Sequence, residues 1–114
     1  MILLQHDNFF PDLEKVRSDA FSIPLMECDE YNQQFSRSED WPGRRSDILS
    51  DAHPNLNDHI HQLIHRLPMF QGLHFNCMVH YRGEGTEDWV HMDNEPLAGI
   101  IYINPTNYNS GTRI

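Results

Sequence analysis

The chain has 114 residues, 39% hydrophobic and 11% aromatic, with 17 acidic against 8 basic side chains and a formal charge of −9. That length holds one small domain with a single core, burying roughly two-thirds of its unfolded surface. The acidic balance excludes the basic footprint that phosphate backbones and anionic membrane surfaces attract, so neither nucleic acid nor a membrane is an expected partner.

In chain order, Met1 to Leu4 is apolar but gives way at once to Gln5-His6-Asp7. This is too short for a secretory signal or a membrane span, and a cytoplasmic location is the default expectation. Ile2 to Gln5 reads as a short strand. Asp7 or Asn8 then caps a helix beginning near Pro11, with Leu13, Val16 and Ala20 at helical spacing through about Phe21. From Ser22 to Arg45 the chain is polar and irregular, with a turn at Pro42-Gly43.

A second helix is expected from about Pro54 to Leu67, because Leu56, Ile60, Leu63, Ile64 and Leu67 form one apolar stripe and Pro68 ends it. Its histidines, His53, His59, His61 and His65, lie off that stripe. His61 and His65 have the i, i+4 spacing of zinc ligands, yet without a cysteine or acidic partner at metal-site spacing they read as a solvated face. Leu73 to Arg82 alternates Leu73, Phe75, Cys77, Val79 and Tyr81 against His74, Asn76, Met78, His80 and Arg82, the pattern of a strand with one face on the core. Cys77 falls on the apolar face as a small buried hydrophobe, and Cys28 lies far from it with no CxxC spacing, so both are expected as reduced thiols.

Gly83 to Thr86 forms a loop, and Trp89 to Asp93 reads as a short strand. Leu97 to Asn104, rich in Ile, reads as a strand buried on both faces and closed by Pro105. Helices first and strands afterwards make this an α+β chain.

The triplet His91-Met92-Asp93 carries the chemistry. Residues at i and i+2 of a strand share a face about 6.5–7 Å apart, so this imidazole and carboxylate can reach one metal ion. With a second histidine they would make the facial triad of non-haem Fe(II) oxygenases, which leaves positions open for co-substrate and oxygen.

Tyr81-Arg82-Gly83, Trp89-Val90-His91-Met92-Asp93-Asn94, Ile100-Ile101-Tyr102-Ile103-Asn104-Pro105 and Ser110-Gly111-Thr112 together resemble the Fe(II)/2-oxoglutarate-dependent dioxygenases, in particular the prolyl-4-hydroxylase-like branch. The resemblance covers about the last 32 residues. It departs from the family's pattern at Ser110-Gly111, where relatives have Gly-Gly, and at Arg82, where many have proline. It implies a double-stranded β-helix (jelly-roll, cupin-like) core with N-terminal helices, here incomplete at its C-terminus, so that residues 1–114 form one domain, the N-terminal part of an oxygenase. His91 and Asp93 match the first two iron ligands. Tyr102 matches the tyrosine that bonds the distal carboxylate of 2-oxoglutarate, and Tyr81 one lining the same pocket, with Tyr102 expected to face inward beside Ala98, Ile100 and Asn104. The third ligand and the basic partner of 2-oxoglutarate would lie beyond residue 114.

The activity so implied is Fe(II)- and 2-oxoglutarate-dependent hydroxylation of a peptide, amino acid or small metabolite. Two other readings stay open: a non-catalytic jelly-roll binding module, and a simple metal-binding cupin that joins His91 to His74 or His80.

Overall fold

The computed structural model describes residues 5–82 and 97–104. Its first helix, α1 (Leu13–Phe21), starts where Asp12 accepts a hydrogen bond from the Lys15 backbone N–H at 3.2 Å, satisfying one of the unpaired donors of a helix start. Val16 and Ala20 face inward, as their spacing predicts. The longest helix, α4 (Pro54–His65), opens with Pro54 in its first turn and a cap from His53, whose Nδ1 accepts from Leu56 N at 3.1 Å. Leu56, Ile60 and Leu63 are its buried stripe.

Between these helices the polar stretch from Ser22 to Arg45 is more ordered than its composition suggests. It contains β1 (Met26–Glu27), α2 (Cys28–Phe35) and β2 (Arg44–Arg45), and a four-residue α3 (Leu49–Ala52) follows. α2 ends at Ser36 in the left-handed conformation, φ 53°. Asn32 then closes the return by bonding Glu39 twice, Nδ2 to its carbonyl at 2.8 Å and Oδ1 from its N–H at 3.0 Å. A short 3-10 turn at Pro68–Phe70 follows α4, and β3 (His80–Tyr81) completes a three-stranded antiparallel sheet in the order β1-β2-β3. The register pairs Met26 with Arg45, Glu27 with Arg44, Arg44 with Tyr81 and Arg45 with His80. Strands interleaved with helices replace the helices-then-strands order that the sequence pattern suggests.

Phe10, Val16, Ala20, Ile23, Leu49, Leu56, Ile60 and Leu63 form the core, with Phe75, Cys77, Val79 and Ile103 packed against it. Residues 73–79 are extended without being a regular strand. Their burial nonetheless alternates as predicted, Leu73, Phe75, Cys77 and Val79 inward and His74, Asn76 and Met78 outward, while Tyr81 breaks the pattern by being exposed.

The expectation for Leu97 to Asn104 is corrected. No strand forms there, and Leu97, Ile100 and Tyr102 are 58%, 64% and 54% exposed. Only Ile103 packs on the core, its carbonyl accepting from Arg17 Nε at 2.6 Å. β-branched composition favours a strand only when a neighbouring strand or face receives it. Gln5 is outside any strand, and Met1 to Leu4, like the strand expected at Trp89 to Asp93, lie outside the described residues. The described fold is mixed helix and antiparallel sheet; it does not by itself specify a double-stranded β-helix.

Candidate functional site

His91 and Asp93 lie outside the described residues. Their approaches on both sides are described. On one side β3 ends at Tyr81, 49% exposed, with the Arg44 guanidinium carbon 5.2 Å from its ring centroid across the β2–β3 pair. The backbone around this pair is close-packed. Gly43, at φ +78°, lies so near the Tyr81 carbonyl that a Cβ would collide with it. On the other side Tyr102 stands on the exposed run that Ile103 pins to the core.

The run does not alternate: Leu97, Ile100, Ile101 and Tyr102 are all exposed and Ile103 alone packs on the core, so the expected inward placement of Tyr102 beside Ala98, Ile100 and Asn104 is not found. Among the described residues no group of three His, Cys, Asp or Glu side chains is placed to hold a metal ion.

The histidines of α4 have a different employment from the solvated face expected of them. His53 caps the helix, and the His59 ring stacks with Phe10 at 5.9 Å between centroids. His61 lies flat on Phe75, centroids 3.9 Å apart and planes within 4°, with Nε2 3.1 Å from the Phe75 carbonyl. His65 Nε2 is 2.7 Å from the Leu73 carbonyl. The ladder continues beyond the helix: Leu49 N–H donates to the Cys77 carbonyl and Ser46 N–H to the Val79 carbonyl, each at 2.9 Å. Four alternate carbonyls of the extended segment are thus satisfied along one edge.

The match is geometric. Four residues of helix rise about 6 Å and two residues of extended chain about 6.6 Å, so imidazoles at i, i+4 meet carbonyls at i, i+2. The signal was present in the sequence as two histidines at that spacing on a helix shortly before an alternating segment.

His80 is tied down as well, its Nε2 3.0 Å from the Pro42 carbonyl and its ring edge-on to Trp41 at 6.3 Å. Burial pushes its pKa below the ordinary histidine value, and the positive charges of Arg45 and Arg82 add to this against the opposing effect of the Pro42 hydrogen bond. Trp41 is 6% exposed, with the Arg45 guanidinium carbon 4.5 Å above its ring and Tyr31 packed edge-on at 5.6 Å, which makes it a packing residue. Its indole N–H is buried without a hydrogen-bond partner among the described residues. Both cysteines are free, and Cys77, in contact with Asn57 Oδ1 at 3.5 Å, has its thiol pKa pushed up by burial. Such a thiol is the unreactive form.

No helix among the described residues is long and apolar enough to cross a membrane. Compared with protein-family models, with curated proteins and with solved structures, the chain matches none.

Proposed function

We propose that this chain belongs to an Fe(II)- and 2-oxoglutarate-dependent oxygenase that hydroxylates a peptide, amino acid or small metabolite, and that its architecture is the N-terminal part of a double-stranded β-helix. The observation that carries the reading is the ordered run Tyr81, His91-Met92-Asp93 and Tyr102-Ile103-Asn104. The donor set fits the metal: one imidazole nitrogen and one carboxylate oxygen are two of the three donors of a two-His, one-carboxylate Fe(II) site. Support also comes from exposure, since Tyr81 and Tyr102 are about half open to solvent and a dissolved co-substrate can reach their hydroxyls.

When bound, iron with 2-oxoglutarate and dioxygen supplies the oxidation of an unactivated C–H bond to C–OH. The chain's own part is holding and orienting. His91 Nδ1 or Nε2 and Asp93 carboxylate oxygens hold the metal. Tyr102, and with it Tyr81 at the end of β3, would hold and orient 2-oxoglutarate.

Anaerobic titration with Mn(II), a redox-quiet substitute, tests this on the wild type, His91→Ala and Asp93→Ala. Each substitution removes one of two protein ligands and is expected to weaken binding at least tenfold. Equal affinity in all three proteins removes the site assignment.

A further inference from the structure

Residues 73–79 have one occupied edge and one open one. The carbonyls of Leu73, Phe75, Cys77 and Val79 are bonded by His65, His61, Leu49 and Ser46. Extended chain alternates, so the N–H and C=O groups of His74, Asn76 and Met78 point the opposite way, and among the described residues they find no partner. The usual protections of an edge are missing too, since Leu73 to Tyr81 contains no proline and no Asp, Glu, Lys or Arg. The Ile-rich run at 97–104 is the converse case. Among the described residues its backbone is unpaired from Leu97 to Ile101, Ile100 is 64% exposed, and a Cβ added at Gly99 would meet nothing within 4 Å. Isoleucine favours a strand once a neighbouring strand receives it.

We propose that the two complete each other between molecules: residues 97–101 of one copy add as a strand to the edge at His74, Asn76 and Met78 of a second copy. Within one chain they are not joined. The sheet pairs β1 with β2 and β2 with β3, and the run is held at Ile103 by Arg17 of α1. Charge decides where two copies can meet. At −9 each they repel, so contact is favoured where neither carries charge, and the two longest stretches without Asp, Glu, Lys or Arg are 67–81 and 96–112. The first contains the edge and the second the run. Main-chain bonds supply the attachment, and alternate side chains of the added strand lie beside Phe75, Cys77 and Val79 at the margin of the core. The gain is removal from water of isoleucines that one chain leaves exposed. This contact does not rest on the iron reading.

The test follows the 114-residue chain by sedimentation from micromolar to millimolar concentration, as wild type and as two variants. Met78→Pro removes a donor from the open edge and none from the edge that meets Ser46 and Leu49. The double variant Ile100→Pro, Ile101→Pro removes one donor from each edge of the run. The wild type is expected to associate as concentration rises, while each variant alone stays monomeric. An equimolar mixture of the two variants regains association as a one-to-one complex and nothing larger, because it contains one intact edge and one intact run. Association retained by the double variant alone means that edge pairs with edge, and association retained by Met78→Pro alone means that run pairs with run. Either result overturns the proposal, as does a monomeric mixture or a wild type that is monomeric throughout. Amide exchange on the wild type decides the matter even if a variant fails to fold. The amides of His74, Asn76 and Met78, with either Ile100 or Ile101, are expected to slow at least tenfold between the lowest and the highest concentration, and unchanged rates overturn the proposal.

Discussion

At the residue scale, His80 shows how a partly desolvated imidazole sets a pH dependence. Its folded-state pKa is held below the ordinary value, chiefly by burial. The stability it contributes is fully present above the unfolded value, about 6.5, and is lost as pH falls through the lowered folded value. His80→Gln keeps a donor for the Pro42 carbonyl but cannot titrate. The thermal midpoint of the wild type relative to His80→Gln is therefore expected to fall between pH 7.5 and pH 5. Gly43 makes a second prediction. Its φ of +78° and its approach to the Tyr81 carbonyl leave no room for a side chain, so Gly43→Ala should destabilise by about 1–3 kcal/mol, read from the denaturant midpoint. The proposed site rests on residue types and spacings alone, His91-Met92-Asp93 and the two tyrosines. The roles of the α4 histidines were not legible in the sequence, because a ring's partner lies on a separate segment whose position sequence spacing alone does not give.

At the scale of elements, α1 and α4 were readable because each repeats apolar residues every three or four positions over several turns. α2 and α3 were not. α2 has eight residues with only Cys28, Tyr31 and Phe35 as non-polar members, and α3 has four, too few for a period to show. α3 is nonetheless central, since Leu49 is 1% exposed and its N–H holds the Cys77 carbonyl. Ser46, just before it, is fully buried, donates through Oγ to the Asp47 carbonyl at 2.7 Å and accepts there from Val79 N–H at 2.9 Å. Ser46→Ala leaves the Val79 N–H without its acceptor, and the expected cost is about 1–3 kcal/mol in chemical denaturation. The alternation of Leu73 to Val79 was read correctly even though no regular strand forms over it. Burial parity requires only an extended backbone, whereas a strand also requires a ladder of main-chain partners, and here two of the four donors along the recorded edge are side chains.

At the scale of the whole molecule, the misread segment is the Ile-rich run at 97–104. A run of this composition reads as buried in both parallel sheets and sandwiches, but which of its residues reach the core depends on contacts from far away in the chain. Here the described contact comes from α1, where Arg17 reaches the Ile103 carbonyl across 86 positions and also pairs with Glu14 at 2.8 Å. A bond spanning most of the chain closes a long loop, and the entropy of that closure grows with its length, which disfavours early formation. The Arg17–Ile103 contact is therefore expected to form late in folding. Arg17→Ala is expected to leave the folding limb of the chevron almost unchanged and to raise the unfolding rate several-fold. A slowed folding limb would place the contact in the nucleus instead. On this account the helical core assembles first and the Ile-rich run is latched afterwards, so the Arg17 contact governs how long the folded chain persists, while the speed at which it forms is set elsewhere.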